Sequence, residues 1–154
     1  MTYRPRKIIS GGQTGADMGG LIAANELGIA TGGCAPRGYK TEAGEQAETL
    51  KAFGLVEHSS SDYRQRTKQN IIDSDATLIL ATDPGSDGTK LTIQYCEELE
   101  KPYLLIQPTD GSIAQIRKFI DDQRPSVLNI AGNRESKSKG ITARTEAILL
   151  AVFE

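Results

Sequence analysis

The chain has 154 residues, enough for one domain with its own apolar core. Its 38% hydrophobic and 25% charged residues exclude a disordered chain, and no apolar run approaches the roughly 18 residues that cross a bilayer. A net charge of −2, with no Trp, excludes the broad basic face and aromatic platform of a general nucleic-acid binder.

The basic start, Met1 to Lys7, is followed by no signal-peptide stretch, so the expected location is the cytoplasm. Lys7-Ile8-Ile9-Ser10 reads as a short strand running into Gly11-Gly12. Gly15 to Leu27 reads as a helix through Leu21, Ala24 and Gly28. Gly32 to Glu42 reads as a long irregular segment, the kind that is often functional inside a compact domain. Within it Arg37 and Lys40 are placed to close over an anion, and Glu42 to read a base or ribose. A mobile surface loop is the alternative.

Leu55 to His58 reads as a strand and Asp62 to Asp73 as a helix. Ala76 to Ala81 is a continuous apolar run, the mark of a strand buried on both faces. Gly88 to Glu100 is helical, Tyr103 to Ile106 a buried strand, and Ser112 to Gln123 helical. Val127 to Ala131 is a last strand before Gly132, and Ile141 to Phe153 a closing helix. Strands alternating with helices of this length predict an α/β fold: a Rossmann-like, doubly wound, mainly parallel sheet in a single domain over residues 1–154. Ligands of such sheets bind beyond the carboxyl ends of the strands.

Two loops stand there. The first is Ser10-Gly11-Gly12-Gln13-Thr14-Gly15-Ala16-Asp17. Its glycines allow close approach of backbone N–H groups to an anion at a helix start. The loop is a near miss for GxGxxG and is not a Walker A sequence, which disfavours P-loop ATP hydrolysis. Thr14 and Asp17 also have the spacing of a capping box, and Asp17 suits a cap or a ligand hydroxyl or amine better than a phosphate. The second loop runs from Asp83 to Lys90. Gly85, Gly88 and Thr89 would supply hydrogen bonds there, and Lys90 charge.

The helix segment Arg64 to Asn70 has no aliphatic residue, although a helix flanking a sheet should bury an apolar stripe. Either it is a solvated surface helix, or Arg66 and Asn70, one turn apart, face a ligand or another subunit. His58, without a nucleophile partner, reads as structural. Cys34 and Cys96 match no metal or redox spacing and read as reduced thiols.

Several stretches, in order, resemble the molybdenum carrier family. They are Ser10 to Asp17, Ala35 to Gly38, Tyr63 with Arg66-Thr67, Ser74 to Ile79, Gly88 to Thr92 and Leu128 to Gly132. The likeness runs from about Lys7 onward. It implies a Rossmann-like fold, a homo-oligomer, and binding of molybdenum cofactor (molybdopterin), a phosphorylated pterin that carries its metal through sulfur. It also implies kinship with nucleotide-binding proteins and phosphoribohydrolases. Met18 and Asp87 depart from the family pattern by removing features favourable to an anion.

The expected function is therefore a carrier or sensor for a phosphorylated small molecule, molybdenum cofactor or a nucleotide, without turnover and with no protein ligand to a metal. The partners expected are that ligand and further copies of the chain, with no nucleic acid and no membrane. The alternative is a hydrolase of the N-glycosidic bond of nucleoside monophosphates. The catalytic Glu of that motif corresponds to Thr92 here, whose hydroxyl is no carboxylate base, so Asp17, Glu42 or Asp87 would have to serve.

Overall fold

A computed structural model describes residues 2–154. Six strands form the central sheet: β1 (Lys7–Ile9), β2 (Ala30–Ala35), β5 (Leu55–Glu57), β6 (Ala76–Leu80), β7 (Tyr103–Ile106) and β8 (Val127–Gly132). Their spatial order is β5-β2-β1-β8-β6-β7, and every neighbouring pair is parallel. A separate antiparallel ribbon joins β3 (Lys40–Thr41) and β4 (Gly44–Glu45).

The last strand in sequence, β8, lies between β1 and β6. If β8 were the first strand, one half of the sheet would run outward in chain order as β8, β1, β2, β5, and the other half as β6, β7. The topology is that of a doubly wound sheet whose first strand has been moved to the end of the chain. The switch point, where such sheets hold ligands, falls at the carboxyl ends of β1, β8 and β6.

The helices are α1 (Ala16–Leu27), α2 (Ala47–Ala52), α3 (Tyr63–Ile72), α4 (Asp87–Glu98), α5 (Ile113–Gln123) and α6 (Ile141–Phe153). α1 packs along α6, and α6 along α5; α3 packs against α4. The larger apolar cluster fills the α1 face with Ile8, Leu78, Leu80, Leu128, Ile130, Ile148, Leu149 and Phe153. A smaller one joins Leu21, Leu50, Leu55 and Tyr39 around α2. Strand alternation sends the neighbours of these residues to the other face. There Asn129 Nδ2 donates to Thr77 Oγ1 at 3.2 Å, beneath the two helices α3 and α4.

The segment expected to be irregular from Gly32 is partly a strand. Gly32 to Ala35 belongs to β2, next to the centre of the sheet. Thr31 is its lone β-branched residue, and its glycines hid it. Gly33, at φ 130°, lies so close to β1 that an added Cβ would fall 2.0 Å from the Ser10 carbonyl oxygen. Only a residue without a side chain permits that approach. The short α2 carries too few residues for a readable period.

Candidate functional site

A cavity of about 420 Å³ opens at the switch point, between the carboxyl ends of β8 and β6 and the inner faces of α3 and α4. Gly11, Gln13 and Asp17 line it from the first glycine loop, and Asp83, Gly85, Ser86, Asp87 and Gly88 from the second. Arg66, Thr67 and Asn70 contribute from α3 and Thr92 from α4. Residues 129–134 and Lys137 complete the wall from β8 and the loop beyond it. The polar character of α3 is thereby explained. It covers a cavity rather than an apolar layer, and Ile71 alone of its aliphatic residues is buried.

The first glycine loop is built differently from the expectation. No capping box forms: the cap of α1 is Gly15, without a side-chain hydrogen bond. Asp17 instead folds back into the loop. Its Oδ2 accepts the Gln13 N–H at 3.1 Å and the Arg66 guanidinium at 3.1 Å, and the nearby Gly11 N–H also favours its charged form. Four further main-chain donors of the loop are spent as well. Gly12 N–H reaches Ser10 Oγ at 3.3 Å and Thr14 N–H reaches Gln13 Oε1 at 3.0 Å. Gly15 N–H reaches Thr142 Oγ1 at 3.0 Å and Ala16 N–H the Asn133 carbonyl at 3.1 Å.

Burial pushes the Asp17 carboxyl above its ordinary value, while Arg66 and the loop N–H groups pull it back down. Asp17 is 6% exposed, and the pair is close to sealed. Arg66 lies directly over Gly11, where an added Cβ would fall 1.5 Å from its Nη1. Two buried donors, Gln13 Nε2 and Arg66 Nε, have no acceptor among the described residues. The Gln13 amide cannot simply be turned over, because its Oε1 accepts both Thr14 N–H and Glu42 N–H.

The second loop keeps free donors. Ser86 caps α4 by accepting the Thr89 N–H at 3.4 Å. The N–H groups of Asp87 and Gly88, in the first turn, have no acceptor within the helix. Asn133 holds this loop in place. Its Oδ1 accepts the Asp83 N–H at 3.0 Å, and its Nδ2 donates to the Asp83 carbonyl at 3.1 Å and to Ser86 Oγ at 3.2 Å.

Several expected site residues are committed to other contacts or lie outside the cavity. Asn70 lines the cavity, but both ends of its amide are committed to β2: Oδ1 accepts Cys34 N–H at 2.8 Å and Nδ2 donates to Cys34 O at 2.9 Å. β1 has already ended at this level, so Asn70 satisfies strand groups that have no neighbouring strand on that side. Gly12 packs against Leu50 and Leu55. Gly15 lies against the backbone of Asn133 and Arg134. Thr89 is buried beneath Ser86. Arg37 and Lys90 are exposed and line no part of the cavity. Cys34 and Cys96 are free and buried.

Thr14 and Glu42 meet outside the cavity. Glu42 accepts from the Thr14 hydroxyl and from Ser136 N–H at 3.1 Å, and so latches the β3–β4 ribbon to the loop after β8. That loop is pinned again by Glu135, which accepts from Gly140 N–H and from the N–H and hydroxyl of Thr142. Burial alone would raise the Glu42 carboxyl, but the Ser136 and Thr14 hydrogen bonds hold it below the usual range. The Gly140 N–H bond, then those from Thr142, do the same for Glu135. A carboxylate with a depressed folded pKa contributes stability that is present above its unfolded pKa and lost as pH falls through the folded value. Residues 133–140 are therefore expected to lose amide protection, after correction for intrinsic exchange, between about pH 6 and about pH 3. Equal protection at both ends of that range would contradict this role for the two carboxylates.

The cations of the cavity include two that lay outside the glycine patterns, Arg134 and Lys137. Arg134 stands 4.0 Å from Glu42 and 5.6 Å from the Tyr63 ring. With Arg66 they face three carboxylates, Asp17, Asp83 and Asp87. The one readable sign of them was position: Asn133 to Lys139 is a polar, basic run directly after a buried strand. Among the described residues no group of three or more His, Cys, Asp or Glu is placed to hold a metal ion. None of their helices is long and apolar enough to cross a membrane.

Comparison with known proteins adds two findings. The model of the circularly permutated YpsA SLOG family matches residues 8–153. A crystal structure from Syntrophus aciditrophicus SB, of a protein provisionally named a molybdenum carrier, is 38% identical and superposes with a TM-score of 0.90. The match covers 99% of this chain and 97% of that one. No curated protein matches. The displaced β8 strand is the feature that a circular permutation leaves in a sheet.

Proposed function

The chain belongs to the circularly permutated YpsA SLOG family, and from that premise we propose that it is a binding protein, a carrier or sensor, for a small phosphorylated molecule. The observation that carries this reading is the cavity at the switch point. The first turn of α4, where the N–H groups of Asp87 and Gly88 have no acceptor within the helix, lines the same cavity as Lys137 and Arg134. A helix N-terminus beside two cations favours an anionic group. A volume of about 420 Å³ suits a ligand of nucleotide or pterin size. The name of the Syntrophus relative makes molybdenum cofactor the first candidate, with a nucleotide second.

Of the three carboxylates that the hydrolase could recruit, Glu42 lies outside the cavity and Asp17 is paired, which leaves Asp87. Thr92 stands where a catalytic carboxylate would be needed, and its hydroxyl donates to the Gly88 carbonyl at 2.9 Å. Asp17 is tied to Arg66. A general base has to reach the water it activates. If metal arrives with the ligand, the ligand's own sulfur would hold it.

Native mass spectrometry of protein purified without oxygen tests the reading. A bound mass of a phosphorylated pterin or a nucleotide is expected. A ligand-free protein that also fails to bind either compound in titration would overturn it. Lys137→Ala should weaken that binding about tenfold, the loss of one charge-assisted contact. Arg37→Ala and Lys90→Ala should leave it unchanged.

A further inference from the structure

We propose that Asp17 is a built-in anion that fills the phosphate seat of the first glycine loop, and so restricts the ligand to a single anionic group at the α4 end of the cavity. This rests on the binding reading above and narrows it. The ligand is a phosphomonoester, and pyrophosphate-bridged dinucleotides are excluded.

A glycine loop opening a helix normally turns its backbone N–H groups and a nearby cation toward ligand oxygens. Here the same donors converge on a protein carboxylate. Asp17 Oδ2 takes the Gln13 N–H and Arg66 Nη1, each at 3.1 Å. The N–H groups of Gly12, Thr14, Gly15 and Ala16 are spent within the protein. A second phosphate brought to this loop would find no free main-chain donor among these residues. It would also stand beside a negative charge, and like charges in contact are strongly unfavourable. The α4 end differs, because the Asp87 and Gly88 N–H groups and Lys137 are uncommitted there.

The test is calorimetric titration with inorganic phosphate and with pyrophosphate at constant ionic strength. Wild-type protein should bind pyrophosphate no more tightly than phosphate. Asp17→Asn removes the internal charge and frees Arg66. It should gain one phosphate per chain, or bind pyrophosphate about tenfold more tightly than wild type. A folded Asp17→Asn protein that gains neither would overturn the proposal, as would wild-type protein that clearly prefers pyrophosphate. If Asp17→Asn does not fold, Asp17→Ser is titrated instead and the wild-type preference is decisive by itself. Lys137→Ala separates the two readings. Failure of the binding reading removes the phosphate at the α4 end and leaves the gain in Asp17→Asn intact.

Discussion

Gly33→Ala is expected to cost about 3 kcal/mol or more, lowering the melting temperature by on the order of 10 °C. Gly33 sits in β2 at φ 130°, a conformation that L side chains rarely adopt. Strain of that kind accounts for about 1–3 kcal/mol. The remainder is steric. The new Cβ would fall 2.0 Å from the Ser10 carbonyl oxygen and 2.9 Å from its nitrogen, both main-chain atoms at the end of β1. Rotamer changes cannot relieve a clash with backbone, so β2 must move away from β1. Ser10 N–H donates to the Gly32 carbonyl at 3.3 Å, and that bond lies in the path of the movement. Gly28→Ala is the control. Gly28 also has positive φ, 73°, but a Cβ there meets nothing within 4 Å, so the loss should be only the conformational part, about 1 kcal/mol. Urea denaturation of both variants checks the pair. Equal losses would show that close approach to Ser10 is not what fixes glycine at position 33.

The same contact explains which parts of the fold were legible. β6 could be read because it is buried on both faces and spells it out as Ala76-Thr77-Leu78-Ile79-Leu80. The closing helix could be read from Ile141, Thr145, Ile148 and Val152, all buried. β2 could not. Its residues are chosen for how near the next strand comes, and that choice of glycine reads locally as loop.

At the candidate site, glycine patterns led to the two loops that line the cavity but not to the hydrogen bonds within them. Spacing shows that Asp17 follows Gly15; it does not show the side chain turning back to take the Gln13 N–H. Nor does it show that Asn70, on a helix far along the chain, completes the hydrogen bonding of Cys34. The cavity-lining residues that the glycine patterns did not point to, Asn133, Arg134 and Lys137, lie in a loop with the composition of an ordinary solvated turn. Only its position after a buried strand distinguishes it.

Arg66→Gln is expected to destabilise the chain by about 3 kcal/mol near neutral pH, because it leaves the Asp17 carboxylate buried without a counter-charge. Both side chains of the pair are largely withdrawn from water, at 11% and 8% exposure, so solvent screens the interaction little. The effect should depend on pH in a defined direction. Burial already raises the Asp17 carboxyl, and Arg66 is the main charge opposing that rise. Removing Arg66 lifts the folded pKa further from its unfolded value of about 3.9. A group whose folded pKa is raised contributes stability that is fully present below the unfolded pKa and lost as pH rises through the folded value. The deficit of Arg66→Gln should therefore shrink as the pH is lowered through the carboxylate range, where Asp17 takes up a proton in the variant. Urea denaturation of wild type and variant at about pH 7 and about pH 4.5 reads this difference directly. A deficit that stays constant would mean that Arg66 supports the fold by packing over Gly11 and not through the Asp17 charge. The Asp17→Asn/Arg66→Gln double variant closes the cycle. With both charges gone it should be more stable than Arg66→Gln alone, since an amide pair leaves no bare ion beneath α3.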